Sequence, residues 1–578
     1  MTIQFDEDKQ KRNFNELLAE EEEESAKILS QKYGVKYVDL SGIPINSDAL
    51  RIIPEEEARE NEMAAFKIVG KKLFVAVRAP NKDSVVEVID KLKEKDYTVE
   101  IYMTARQSLE KAWERYKDLS FAMETKAGTL DISNEEIETF LKKVNSLTDI
   151  ENLINENVDS NKVYRTSKIL AIIIAGGIST GASDIHVEPE EKIVRLRYRL
   201  DGSLVELLQF DKETYQLLLS RIKLLSGLKL NIKDNSQDGR FSVKIYNENI
   251  EIRTSTLPGA FGESIVLRIL NPKSIQFPLK DLGIPAKLLD LFIREISKPN
   301  GMILTTGPTG SGKTTTLYAF LRRVHNSQIK VVTIEDPVEY HLEGIVQTQV
   351  EAEKGYTFAA GLRSTLRQDP DVIMVGEIRD NETAEIAVHA ALTGHLVFST
   401  LHTNNAAGAF PRLIDLGVNP KILVSAINLA IAQRLLRKLC PVCRKQTPIP
   451  AEKKPALEII WNKIEKKGSK VTQKDFIFEA VGCPECNKTG YKGRIGIYEA
   501  IMIDRAVEEA IQNNPSEREI VAAAEPQNIL SLAQDGLLKV ADGITSLDEL
   551  EGTVDLSFEL PENFEYAPPV AVEEEMSN

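Results

Sequence analysis

An α/β fold built around a parallel sheet is predicted for this chain by three observations. Gly307 to Thr314 reads Gly-Pro-Thr-Gly-Ser-Gly-Lys-Thr, a complete G-x-x-x-x-G-K-[ST] phosphate loop, set between the apolar run Met302, Ile303, Leu304 and the helix-forming stretch Thr315 to Val324. Three further apolar runs, Val331 to Ile334, Val372 to Val375 and Leu396 to Ser399, alternate with helical stretches as in a doubly wound sheet. Two of these runs end in carboxylates, Glu335-Asp336-Pro337-Val338-Glu339 and Gly376-Glu377, and strand ends face the ligand crevice of an open parallel sheet.

Along the chain, 1–25 is an acidic tail containing the glutamate run Glu20 to Glu24, and solvation of like charges keeps it out of a core. Residues 26–118 alternate strand and helix signals, with strands at Leu73 to Val77 and Val99 to Met103 and helices at Ser84 to Lys93 and Gln107 to Tyr116, a small α/β domain. The polar stretch 119–160 is predicted to be a mobile linker with one short helix around Ile137 to Leu147. Residues 161–275 open with an apolar helix ending at Gly176-Gly177 and continue with several antiparallel strands, among them Ile193 to Tyr198, Val243 to Tyr246 and Ile250 to Arg253. The phosphate-loop domain occupies 276–439, a cysteine-bearing insert 440–490, a helical C-terminal segment 491–555, and a disordered tail 556–578.

A chain of 578 residues is too long for one core. Its formal net charge of −16 argues against nucleic acid, which calls for clustered Lys and Arg. The N-terminus shows no basic segment followed by an apolar core, so a cytosolic location is expected. The longest apolar run, Ile169 to Ile178, is far too short to span a bilayer, so membrane contact is expected only through partners. The four cysteines, Cys440, Cys443, Cys483 and Cys486, form two C-x-x-C pairs. In a reducing compartment, that pattern favours one closed, structural Zn2+ site of four thiolates.

The nucleotide cradle is predicted to comprise Gly307, Pro308, Thr309, Gly310, Ser311, Gly312, Lys313, Thr314 and Thr315. Glycines let successive amide N–H groups turn toward phosphate oxygens, and the helix N-terminus adds partial positive charge. Lys313 reaches the outer phosphates of ATP and the Thr314 hydroxyl reaches Mg2+. The strand ending in Gly376-Glu377 resembles a Walker B segment, and its acidic groups hold magnesium or polarise water. His395 and His402 bracket the last apolar run.

In this order the motifs resemble those of the secretion ATPases of the type II secretion and type IV pilus superfamily, over residues 161 to 555. The phosphate loop, the "Asp box" Glu335 to Glu339, the variant Walker B at Glu377 and the "His box" His395 to His402 carry the resemblance, and the paired C-x-x-C elements match its pilus-extension and type II secretion branch. The resemblance implies a homo-hexameric motor: a RecA-like core, a preceding PAS-like N2 domain (161–275) and an N1 docking domain (26–118), with nucleotide between N2 and the core. It implies Glu339 as catalytic base, Glu377 supporting magnesium and water, Glu335 and Asp336 lining the site, and both histidines responding to nucleotide state.

The segments Ala182 to Pro189, Gln237 to Arg240, Ile252-Arg253 and Leu267-Arg268 also look like family segments. Arg240 and Arg253, with Arg268 less secure, are expected to close over the γ-phosphate, because a guanidinium offers a permanently charged fork to spreading negative charge. His186 is read as a folded-core or domain-joint residue rather than a catalyst. No Arg-Leu-Gly-x-x-Leu repeat occurs in 26–118, which leaves docking on an inner-membrane platform or anchor protein as the reading of N1. The implied role is pilin assembly into a type IV pilus from the cytoplasmic face of the inner membrane. Type II secretion is the alternative, and a DNA-translocating ATPase a more distant one.

Overall fold

The computed structural model describes residues 22–116, 134–158, 162–271, 277–561 and 564, apart from 41, 44, 51, 70, 95–96, 145, 246–247 and 514–515. Most of the N-terminal glutamate-rich tail and of the C-terminal tail lies outside the described residues. The chain divides into two units, Met1–Glu124 and Thr125–Asn578.

The first unit holds a four-stranded sheet of β1 (Lys36–Tyr37), β2 (Met63–Val69), β3 (Lys72–Val77) and β4 (Thr98–Met103), ordered β1-β4-β3-β2. The β4 pairings are parallel and the β2–β3 pairing antiparallel. Helices α1 (Asp83–Glu94) and α2 (Arg106–Glu114) stand where the periodicity predicts them. Their buried Val85, Ile89, Leu109 and Trp113 join Leu73, Val75 and Val77 in one core. The buried indole N–H of Trp113 donates to the Met63 carbonyl at 3.0 Å, so the large ring costs no unpaired donor.

The second unit begins, among described residues, with α3 (Asn134–Lys143) and α4 (Leu147–Val158), where a mobile linker with one short helix around Ile137 to Leu147 is expected. The apolar positions explain the difference. Ile137, Phe140 and Val144 recur at helical spacing, as do Ile150 and Ile154, and all are buried against α5 (Lys162–Ser179) and the sheet beyond it. Gly176 and Gly177 make that approach possible: a Cβ on Gly176 would lie 2.7 Å from the Ile150 Cδ1, and one on Gly177 2.9 Å from the Ile269 Cδ1. Ile150→Ala is therefore expected to destabilise the second unit by about 2–5 kcal/mol, the usual cost of emptying a packed isoleucine site. An unchanged thermal unfolding midpoint would show that α4 is not part of this core.

Six antiparallel strands follow: β5 (Asp184–Pro189), β6 (Val194–Leu200), β7 (Ser203–Phe210), β8 (Gln237–Ile245), β9 (Glu248–Gly259) and β10 (Gly262–Leu270), ordered β7-β6-β5-β10-β9-β8. One face carries the apolar set Ile185, Leu196, Tyr198, Ile252 and Leu267, packed on α5 and α6 (Lys212–Leu225). The other face is polar, the alternation that period-two strands impose.

The main sheet has seven strands in the order β13-β12-β14-β15-β11-β16-β19. Its core strands β11 (Gly301–Thr306), β12 (Val331–Glu335), β14 (Val372–Val375) and β15 (Leu396–Leu401) are buried at every position, as strands covered on both faces must be. The short edge strand β13 (Val346–Gln349) pairs with β12. The flanking helices include α7 (Ala286–Ile296), α8 (Lys313–Val324), α9 (Phe358–Leu366) and α10 (Asn381–Leu392).

The C-terminal side departs from expectation. The sheet does not end at residue 439. β16 (Ile427–Leu439) runs parallel to β11, and β19 (Tyr491–Met502), expected to open a helical segment, returns antiparallel along β16. Tyr498 and Ala500 join the core beneath α8, and this burial holds 491–502 in the sheet. Between these two strands lie β17 (Lys445–Pro448), α11 (Lys454–Lys466) and β18 (Phe476–Glu479). Helix α12 (Leu532–Ala541) and its neighbours then cover one face of the sheet, burying Leu537 and Val540.

Candidate nucleotide site

The segment between β11 and α8 turns at Gly307, Gly310 and Gly312, with φ of 148°, 80° and 90°. Two of these glycines are also sterically required. A Cβ on Gly307 would meet the Gln433 carbonyl oxygen and the Ser311 Oγ, each at 2.6 Å, and one on Gly312 would lie 2.7 Å from the Gln433 Nε2. Gln433 on β16 thus supports the loop from beneath. Its side chain also accepts from the Thr316 Oγ1 at 2.8 Å, and it is 1% exposed. Sequence reasoning missed Gln433, since only the parallel pairing of β16 with β11 brings it there. The Lys313 Nζ donates to the Gly307 carbonyl at 2.8 Å and the Pro308 carbonyl at 3.0 Å. Burial lowers the Lys313 pKa while the nearby Glu377 opposes the shift.

Around this loop lies a cleft of about 840 Å3, in the usual range for a ligand site. Its walls bring together Thr309 to Thr315, Glu335, Asp336, Glu339, Glu377 and His402 from the main sheet with Asp184, Arg199 and Arg268 from the six-stranded sheet. The predicted residues Glu335, Asp336, Glu339 and Glu377 therefore converge, because β12 and β14 are parallel neighbours that end at the same edge.

The carboxylates differ in how they are engaged. Glu335 is 3% exposed and accepts from the Tyr318 hydroxyl, the Thr333 Oγ1 at 2.5 Å and the Gln347 Nε2 at 3.0 Å. Burial, reinforced by Glu335, pushes the Tyr318 phenol far above its usual range, so it remains a donor. Among the described residues Glu339 has one ion-pair contact, to the Arg253 Nη1 at 3.3 Å, and the same guanidinium donates from Nη2 to the Val338 carbonyl at 2.6 Å. Glu377 is flanked by the Arg379 Nη2 at 2.5 Å and the His402 Nε2 at 3.2 Å. Arg379 and Arg494 also line the cleft and were not picked out from the sequence.

Two predicted residues fall elsewhere. His395 sits at the start of β15 and bonds through Nδ1 to the Ala390 carbonyl at 3.0 Å. Seven residue steps of about 3.3 Å each put it roughly 23 Å from His402. The bracketing histidines thus occupy opposite edges of the sheet, and only His402 faces the cleft. Arg240 is 73% exposed, among the described residues reaches only the Glu251 Oε2 at 4.0 Å, and does not line the cleft; Arg253 meets the site through Glu339, and the less favoured Arg268 lines the cleft itself.

The register explains why the arginines group. Arg240 stands opposite Arg253, Arg253 opposite Arg268, Arg268 opposite Asp184, and Asp184 opposite Arg199, a single cross-strand row on the polar face. Like charges directly opposite one another are unfavourable without counter-charge. Such a row fits an anion-binding wall.

The four cysteines cluster at the base of the β16–β19 pair, with sulfur atoms all within 4.8 Å of one another. The Sγ separations Cys440–Cys483, Cys443–Cys486 and Cys483–Cys486 are 3.9, 3.8 and 3.7 Å. A tetrahedral zinc site with about 2.3 Å bonds has sulfur–sulfur edges of about 3.8 Å, so the set fits that ion. Burial works against the Cys486 thiolate, but amide N–H groups of Cys483 and Gly490 outweigh it and hold the thiol at about 7. The tip of this element also meets the N-terminus of α4, where the Asn487 Oδ1 accepts from the Leu147 N–H at 3.2 Å.

Residues 159–552 match the family described as Type II/IV secretion system protein, and residues 33–122 match the MshEN domain. The chain is similar to the type IV pilus assembly ATPase PilB of Myxococcus xanthus, at 37% identity over 92% of this chain and 91% of that protein. It is also similar to the type II secretion system ATPase E of Vibrio cholerae, at 44% identity over 66% of this chain and 74% of that protein. The type II secretion system protein E of Pseudomonas aeruginosa is 45% identical over 66% of this chain and 74% of its own length. Among the described residues, no helix is long and apolar enough to cross a membrane.

Proposed function

The chain belongs to the type II/IV secretion system protein family, and from that premise we propose that it is a hexameric ATPase motor driving pilin assembly into a type IV pilus. The supporting observation is the cleft that unites a phosphate loop, the four carboxylates Glu335, Asp336, Glu339 and Glu377, and Arg199 and Arg268 in one unit. ATP binds with its phosphates on the Gly307–Thr314 loop and Lys313. Hydroxyl and carboxylate oxygens of Thr314, Asp336 and Glu377 form a hard-donor set that would hold Mg2+, which would neutralise phosphate charge. Glu339, held at one oxygen by Arg253, takes the proton of the attacking water. Glu377 orients that water, with His402 reporting on its position, and Arg253 and Arg268 balance the charge that develops on the γ-phosphate.

The pilus reading is favoured over type II secretion by extent of similarity. The pilus relative aligns with 92% of this chain, the two type II secretion relatives above with 66% each. Partners under this reading are other copies of the chain and an inner-membrane platform protein, with residues 26–118 docking on the platform or an anchor, at the cytoplasmic face. Phosphate release by the purified chain, lost in Lys313→Ala, tests the enzyme. Gene deletion tests the role: loss of surface fibres supports pilus assembly, while secreted enzymes trapped in the periplasm would assign type II secretion.

The domain reading is 161–275 as N2, 276–439 extended by 491–502 as the RecA-like core, and 440–490 as the zinc-holding insert. Metal analysis should give about one zinc per chain, and Cys443→Ser should lose it with a lowered unfolding midpoint. Parent protein free of metal with four intact thiols would refute the zinc assignment.

A further inference from the structure

We propose that Asp184 is a positioning residue for turnover, a buried carboxylate that aims Arg268, with Arg199 beside it, into the cleft. The inference rests on the reading of the cleft as an ATP site. Asp184 is 8% exposed and accepts on Oδ1 from the Arg268 Nε at 3.0 Å. Its Oδ2 accepts from the Ser183 Oγ at 2.9 Å and lies 3.5 Å from the Arg199 Nε. All four side chains border the same cleft as Lys313 and Glu377.

The mode of contact matters. Both arginines meet Asp184 through Nε, the nitrogen nearest the stem, which leaves their terminal nitrogens for other partners. The Arg199 Nη1 donates to the Gly202 carbonyl at 2.9 Å, while the terminal nitrogens of Arg268 have no partner among the described residues. Arg268 is also 59% exposed, so packing does not order it. A long side chain with so little packing samples many rotamers, and one fixed Nε restricts where its fork points.

The cross-strand row adds a second observation. Among Arg240, Arg253, Arg268, Asp184 and Arg199, Asp184 is the one carboxylate, and it stands between the two arginines that line the cleft. Without it, the row from Arg240 to Arg199 would hold guanidinium groups alone, with no counter-charge between the strands of Arg199 and Arg268. With it, a terminal fork of fixed direction faces a site whose developing charge is negative.

The test is a double-mutant cycle on the full chain, with ATP turnover, ATP affinity and unfolding midpoint measured for Asp184→Asn, Arg268→Ala and the pair. Asp184→Asn should lower kcat about ten- to a hundredfold, the worth of a charge-assisted hydrogen bond, with KM changed less than about threefold. In the Arg268→Ala background, it should add less than about twofold, because its effect passes through Arg268.

Parent-like turnover in Asp184→Asn, or an equal further loss in the Arg268→Ala background, would overturn the proposal. Asp184→Ser is carried in parallel. If neither variant folds, the carboxylate serves the fold and the proposal also fails. Parent-like turnover in Arg268→Ala with an inactive Lys313→Ala removes this inference and leaves the ATP site standing; an active Lys313→Ala removes the ATP site itself.

Discussion

Glu339→Gln is expected to cut ATP turnover on the order of 10^2- to 10^4-fold while ATP still binds, the signature of losing a general base rather than a binding group. The geometry separates Glu339 from its neighbour. Glu335 is buried and already accepts from Tyr318, Thr333 and Gln347, so its oxygens are committed to donors of the fold. Among the described residues Glu339 pairs with one cation, the Arg253 Nη1 at 3.3 Å, and it borders the cleft, so an oxygen remains for water. The amide variant keeps size and the contact to Arg253 while removing basicity, and the loop and Lys313 are untouched. Phosphate release measures the first effect and a fluorescent ATP analogue the second. Parent-like hydrolysis would take Glu339 out of the mechanism and make Glu335 the first substitute.

Arg253→Ala should reduce turnover by at least about a hundredfold with a far smaller effect on affinity, since charge neutralisation matters most in the transition state. Arg240→Ala is the internal comparison, and a change within about threefold is expected. The two arginines are cross-strand partners, yet only Arg253 reaches the Asp box, at Glu339 and the Val338 carbonyl. Equal losses in the two variants would return Arg240 to the site. Under the hexameric reading, mixing Arg253→Ala chains with parent chains should depress activity more than in proportion to their fraction, because one stalled subunit holds back its neighbours. A linear decline with confirmed subunit exchange would argue for independent subunits.

How much of this could be read from the chain depends on the distance over which each feature is encoded. The phosphate loop is a local object: its glycines, Lys313 and the flanking strand and helix lie within one short segment, so composition and spacing suffice. The fully buried strands announce themselves as unbroken apolar runs, and the carboxylates that follow them inherit their position from parallel pairing. The cysteine pairs are likewise local, although bringing Cys440 and Cys443 to Cys483 and Cys486 requires β16 and β19 to pair. Helix α3 was legible from the spacing of Ile137, Phe140 and Val144, whereas α4 was not picked out, because polar residues surround Ile150 and Ile154.

Where a feature depends on which strand lies beside which, the sequence by itself says little. It determined the fold class, the phosphate cradle, the acidic strand ends and the four thiols, because each is written in residues adjacent or at fixed short spacing. The tertiary structure decided that His402 and not His395 faces the cleft, since a six-residue strand places them at opposite edges. It decided that Gln433 braces the loop from beneath, and that Arg268 and Arg199 share Asp184. Each of these is a matter of register between segments far apart in the chain, and register is set by the joint burial of whole sheets rather than by any local pattern.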